Sequence, residues 1–168
     1  APSSLTCPTP RGAPVVVRQV AIPDALDRSA IVTELGSGQV AVSGTDRWVA
    51  PLDGMIQSVL TADLRQRLGE TAVLAPGDPS LPGGVRSVTV NVRRFVADGA
   101  GQVTLAADYA VLASNSMRSG VARHAQFVLD AGSARAEAVV PAMSRALGRL
   151  ADRIAAAIAP GCTPGGQD

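Results

Sequence analysis

The chemistry open to this chain is set by a few scarce side chains. His124 is the only histidine, Cys7 and Cys162 are the only cysteines, and every one of the fifteen basic residues is an arginine. Without lysine there is no Schiff-base chemistry and no P-loop. A Ser-His-Asp triad would have to use His124, and no Gly-x-Ser-x-Gly elbow supplies the serine. A catalytic zinc needs three ligands close together, which one histidine and two distant cysteines do not provide. Acidic residues are scattered, with no local pair suited to glycosidase or two-metal work. Gly36-Ser37-Gly38 opens no helix and reads as a turn, not a phosphate loop. His124 alternates with Val121, Ala125 and Phe127 and so belongs on the polar face of its strand, as a solvated side chain. The expectation is a protein without catalytic residues, cofactor or metal.

What remains suits recognition. Leu26, Asp27 and Arg28 lie just behind an apolar strand, and Arg47 and Trp48 stand at the mouth of an amphipathic helix. Arginine presents a planar fork of donors that matches carboxylate or phosphate, and Trp and Arg dominate interface hot spots. The five together would make a docking patch. The alternative is structural: Asp27 caps a turn, Arg28 pairs locally and Trp48 anchors the helix entrance by packing. For the cysteines, three readings stand. Cys7 is a lipidated anchor, which the poor fit of Ser4-Leu5-Thr6 disfavours; it pairs with Cys162 in an oxidising compartment; or both are free thiols. The disulfide is the favoured one. At 155 positions apart the two form no Cys-x-x-Cys motif.

The elements that must position these residues follow from periodicity. Val15 to Ile22 is a strand, with Val16, Val20 and Ile22 expected on one face and Val17 and Ala21 on the other; Pro23-Asp24 ends it. Ile31–Leu35 and Gln39–Ser43 form a hairpin around Gly36-Ser37-Gly38. Pro51 to Leu68 carries Leu52, Met55, Ile56, Val59, Leu60, Leu64 and Leu68 at helical spacing, with Asp53, Gln57, Asp63, Arg65 and Arg67 opposite and Gly69 as the stop. Thr71–Leu74 is a short strand, then Pro/Gly-rich residues 75–84 form a loop. Three period-two segments follow, around Val88-Val90-Val92, Val103 to Val111 and Val121 to Leu129, joined tightly enough for antiparallel hairpins. A second helix spans about Ser133 to Ala159, with Val139, Val140, Met143, Leu147, Leu150, Ile154 and Ile158 inward and Arg145, Arg149, Asp152 and Arg153 outward; Pro160-Gly161 stops it.

Two single-stripe helices must cover a sheet, so the fold class is α/β (α+β-like): one domain with a mixed, largely antiparallel β-sheet packed with two long α-helices. Residues 1–14, rich in Pro, Ser and Thr, read as a flexible N-terminal tether, 15–159 as the domain and 160–168 as a C-terminal tail. At 46% hydrophobic and 17% charged, 168 residues suffice for a core. With 2% aromatics and a formal charge of +1 there is neither a stacking platform nor an electrostatic pull for nucleic acid. No run of eighteen apolar residues is present to span a bilayer as a helix.

The order strand, Leu26-Asp27-Arg28 with Ile31-Val32-Thr33, then Arg47-Trp48 with Pro51-Leu52, then helix, resembles the ABC-type transport auxiliary lipoprotein family. These are the PqiC-like partners of MCE-domain lipid-trafficking systems in the Gram-negative envelope. The resemblance runs from Val15 to Ile158 and includes Ala142 to Leu147 with Ile154-Ala155. Ala25 stands where the family often has an aromatic, and Ser29 where it has a proline. The resemblance implies a non-catalytic periplasmic lipoprotein held at the outer membrane by an N-terminal lipid anchor upstream of this sequence, with an MCE-domain protein as partner. A periplasmic carrier enclosing a lipid or small hydrophobic ligand is the other reading. Uncovered sheet edges lead us to expect a homo-oligomer, with a ring as one form.

Overall fold

The valines at 88, 90 and 92 do build a strand, and it is the longest in the molecule. The computed structural model describes residues 5–8, 12–23, 30–35, 39–47, 51–79, 84–113 and 121–164. In chain order the elements are β1 (Leu5–Thr6), β2 (Val15–Ala21), β3 (Ala30–Leu35), β4 (Gln39–Arg47), α1 (Leu52–Leu68), β5 (Val73–Leu74), β6 (Arg86–Asp98), β7 (Gln102–Leu112), β8 (Arg123–Asp130), α2 (Ala136–Ile158) and β9 (Thr163–Pro164). A short 3-10 turn, Glu70–Ala72, replaces the first half of the strand expected at 71–74.

Strands β5, β2, β6, β7 and β8 lie side by side in that order. The β2–β5 and β2–β6 pairs are parallel, and β6–β7 and β7–β8 are antiparallel. The sheet is therefore mixed, as the sequence implied: a tight turn at Gly101 joins β6 to β7, and helix α1 lies in the crossover that lets β5 run parallel to β2. The β3–β4 hairpin is antiparallel and attaches through β3, parallel to the far end of β6.

Both helices pack on one face of the sheet, α1 over β2 and β5 and α2 over β7 and β8, and they touch each other. Between the layers Ile56, Leu60, Leu64, Leu105, Leu150 and Ile154 are fully buried. Burying each such side chain contributes roughly 1.5 to 3 kcal/mol, so this dry face holds the fold together. The other face alternates towards solvent, with Asn91, His124 and Gln126 exposed.

Several details depart from the pattern. On α2, Val139 takes the core position, and Val140, expected inward, is carried about a quarter-turn round the helix and is 41% exposed. In β2, Val15 and Val17 rather than Val16 are buried, and one extra residue between Val17 and Gln19 returns Val20 to their core-facing side. A bulge breaks strict alternation, and the α1 side chain of Gln57 donates to the carbonyls of Val17 (2.8 Å) and Arg18 (3.3 Å) there. On α1, Asp63 and Arg67 are not on a solvated face but buried against α2. Arg67 donates to Asp152 (2.5 Å) and to the carbonyls of Asp63 (2.6 Å) and Gly148 (3.0 Å), and pairs with the Asp63 carboxylate at 3.6 Å. Removing one partner of such a buried pair costs roughly 3 to 5 kcal/mol, because the other charge stays desolvated. Gly101 turns β6 into β7 at φ 85°, and a Cβ there would lie 2.3 Å from the Ser133 carbonyl oxygen, so only glycine fits.

The ends of the chain are fastened together. β1 pairs antiparallel with β9, and Cys7 and Cys162 form a disulfide with a Cα–Cα distance of 4.1 Å. Arg86 adds a second clasp, donating to the carbonyls of Ala13 (2.9 Å) and Ile158 (3.4 Å), while its own backbone N–H donates to Pro14 (2.8 Å). Burial lowers the Arg86 pKa from its ordinary value. Residues 5–8 and 12–14 are thus tied to the domain rather than free as a tether, and Cys7 is occupied by its partner. Free-thiol titration of the unfolded, unreduced protein is expected to find no reactive thiol, and reduction to destabilise the fold by roughly 2 to 5 kcal/mol. Two titratable thiols, or an unchanged unfolding curve after reduction, would contradict the clasp.

Candidate functional site

A strand edge offers one row of backbone donors and acceptors, so two strands can share it only in succession. One edge of β6 is paired with β7 along Ser87 to Ala97. On the other edge β2 pairs from Arg86 to Asn91, where its last partner is Ala21. β3 then takes the same edge at Thr33 opposite Ala97 and Glu34 opposite Asp98. The connection carrying Leu26, Asp27 and Arg28 thus leaves β6 beside Asn91 and re-enters the sheet through Ala30.

The hairpin register links the second motif to the first. Ala30 stands opposite Arg47, and Val32 opposite Val42, with the register shifting between them. Arg47 ends β4, so Trp48 follows directly, and Arg28 is two residues before Ala30. Leu26, Asp27, Arg28 and Trp48 themselves lie outside the described residues, and of Arg47 the ladder position is what bears on the site. The described backbone thus sets β2 and β3 in succession on one edge of β6, with Arg47 opposite Ala30.

β6 is irregular at this level. Its register against β7 shifts between Val92 and Arg94, which turns two consecutive arginines, Arg93 and Arg94, to the surface while Val92 and Phe95 stay buried. Arg93 donates to Asp108 on β7 (2.5 Å), and Asp108 also holds His124 Nδ1 on β8 at 2.9 Å. Asn91, Asp108 and His124 form one cross-strand row on the solvent face. The His124 imidazole holds the Asp108 carboxyl below the usual carboxylate range; partial desolvation opposes this, and Arg93 reinforces it by hydrogen bond and charge. His124 is on the polar face, as expected from its alternation. The sequence reading missed Arg93 and Asp108; the signal was the Arg93-Arg94 pair, which interrupts the alternation of Val88, Val90 and Val92.

Among the described residues no group of three His, Cys, Asp or Glu side chains is placed to hold a metal ion. Surface clefts among them include one of about 250 Å³ between Val16, Arg18, Leu74 and Asp78, and one of about 370 Å³ over Gln19, Thr89, Asn91 and Asp108. Their linings mix polar and apolar side chains. No helix among the described residues is long and apolar enough to cross a membrane.

Comparison with known proteins gives the chain its relatives. The family model of the ABC-type transport auxiliary lipoprotein component matches residues 1–155. No curated protein matches. Among solved structures, that of an uncharacterised protein is similar with a TM-score of 0.76 at 21% identity, covering 92% of this chain and 96% of that one. A Xanthomonas campestris protein gives 0.71 at 20% identity, over 87% of this chain and 83% of that one. The PelC dodecamer of Paraburkholderia phytofirmans gives 0.52 at 11% identity, over 96% and 95%. At these identities the likeness is one of fold.

The solvent-face row makes a pH prediction. The folded-state pKa of Asp108 is depressed, so its contribution to stability is present above the unfolded value, near 4, and is lost as pH falls through the lower folded value. An NMR titration of the Asp108 carboxyl should move upward, towards the ordinary range, in His124→Ala and by less in Arg93→Gln. An unchanged midpoint in both variants would mean that these contacts are not populated.

Proposed function

Because this chain belongs to the ABC-type transport auxiliary lipoprotein family, we propose that it is a non-catalytic docking protein of an MCE-type lipid transport system. In this reading it faces the periplasm and is held at the outer membrane by a lipid anchor upstream of Ala1. The MCE-domain protein is its partner. The supporting observation is the register of the β3–β4 hairpin, in which Ala30, two residues after Arg28, stands opposite Arg47 while β3 continues along β6 beyond the end of β2. A disulfide between Cys7 and Cys162 suits an oxidising compartment. It also fixes where the N-terminal segment leaves the domain, so a membrane anchor would pull on a cross-linked point rather than on the β2 ladder.

At the seam between β2 and β3 along β6, Leu26 and Trp48 would supply the apolar anchors and Arg28 and Arg47 two guanidinium forks, with Asp27 as a counter-charge. A tail of the MCE-domain protein carrying an apolar side chain beside a carboxylate fits that chemistry. Self-association belongs to the same reading: a PelC of similar fold is a dodecamer, and a ring of docking sites would present several weak contacts to one multimeric partner.

Trp48→Ala and Arg28→Ala are expected to weaken capture of the purified MCE-domain protein by about 1 to 3 kcal/mol each, with melting temperatures within a few degrees of wild type. Binding by calorimetry and unfolding by scanning calorimetry on the same samples decide the matter. Intact binding with a large loss of stability would show packing residues and end the docking assignment.

A further inference from the structure

The formal charge of +1 hides a division of charge along the outer side of α2. Where α2 starts, beside the β6–β7 turn, stand Asp98, Asp130 and Glu137 together with Arg135. From Ala138 to Cys162, by contrast, every exposed charged residue is an arginine: Arg145, Arg149 and Arg153, four positions apart. The remaining charge in that span, Asp152, is held by Arg67. Among the described residues none of the three exposed guanidinium groups is paired with a carboxylate.

The three form a row about 12 Å long on the helix. Gly148 and Asp152 meet Arg67 of α1; Arg149 and Arg153, each one residue further on, are turned about 100° from them, onto the flank away from α1. β8 lies under that flank, and Arg123 begins it, opposite Tyr109 in the ladder. Cross-strand partners share a face. Tyr109 is buried on the helix face, and its hydroxyl donates to the Arg153 carbonyl (3.4 Å). Arg123 therefore stands on the helix side of the sheet close to Arg153, and it too is exposed. Two elements thus build one basic surface. Glu70 and Asp78 lie across the sheet on the β5 side, where both are held by Arg65. The clasp lies just beyond the row: Cys162 follows α2 by four residues, Cys7 is bonded to it, and Leu5 pairs with Pro164. The chain upstream of Leu5 therefore departs from the end of α2 that carries Arg153.

We propose that Arg123, Arg145, Arg149 and Arg153 are the face this protein lays on a bilayer, and that their ligand is the phosphate of anionic phospholipid headgroups. The choice of a bilayer rests on the anchored reading above: an anchor upstream of Ala1 would hold the clasp, and this face with it, at the membrane surface. Guanidinium forks match phosphate oxygens. Clusters of basic residues beside a bilayer hold to anionic lipid, each arginine contributing about fivefold to the partition. Val121, 81% exposed and two residues before Arg123, adds an apolar tip beside the charges.

Vesicle co-sedimentation of residues 1–168, at millimolar lipid and low salt, tests this face without an anchor. Vesicles of phosphatidylethanolamine with phosphatidylglycerol should bind the protein, phosphatidylcholine vesicles should not, and high salt should release it. Arg149→Gln/Arg153→Gln should lower the partition coefficient at least tenfold. Arg18→Gln/Arg135→Gln removes the same charge from elsewhere on the surface and should lower it less than about threefold. Both variants should melt within a few degrees of wild type. Failure to bind phosphatidylglycerol, or equal losses in the two variants, would overturn the proposal. So would Arg149→Gln/Arg153→Gln that binds vesicles normally but captures the MCE-domain protein at least tenfold more weakly, since these arginines would then meet an acidic protein. Each of these outcomes leaves the anchored reading standing; that reading fails if mature protein from the envelope carries no lipid by mass spectrometry, whatever the vesicles show.

Discussion

One strand edge carries the organisation of this protein. β6 is thirteen residues long, more than twice the usual strand, and β7 covers one edge of it. Backbone groups in a sheet interior must be paired, and no single neighbour spans the other edge. β2 supplies its first half, ending opposite Asn91, and β3 its far end, beginning opposite Ala97, with an interval between them; in the hairpin Ala30 stands opposite Arg47. The register shift between Val92 and Arg94 falls within that interval, where it turns Arg93 to the surface and into the grip of Asp108.

Beneath this edge lies the dry face, where α1 and α2 bury a continuous layer of Leu, Ile, Val and Ala against β2, β6, β7 and β8. Within that layer the Arg67 guanidinium, its side chain 1% exposed, joins the two helices through Asp152 and the Gly148 carbonyl. A buried charge of this kind adds little net stability but penalises any other alignment of the helices. At the opposite end the disulfide and Arg86 hold both termini to the start of β6 and the end of α2.

The fold class was legible in the sequence because period-two and period-3.6 patterns are strong where one face is dry. Leu52 to Leu68 and Val139 to Ile158 mark their helices almost residue by residue. Other features were hidden for definite reasons. Asp63 and Arg67 look like a solvated helix face until the position of α2 is known, since spacing does not report what packs alongside. The bulges at Arg18 and Arg93 depend on pairing partners far away in sequence. β1 and β9 are two-residue pieces whose pairing follows from the Cys7–Cys162 link, and Asp108 becomes notable only once β8 brings His124 beside it. Leu26, Asp27, Arg28 and Trp48 were legible as motifs and lie outside the described residues.

Hydrogen exchange on the protein alone and saturated with the MCE-domain protein tests the central claim most directly, because it locates contact without altering any side chain. If the seam is the docking surface, exchange should slow in peptides covering residues 22–29, 47–51 and 91–95 and stay unchanged along α2. Protection confined to α2 or to the Cys7–Cys162 clasp, with the seam exchanging as in the free protein, would contradict it.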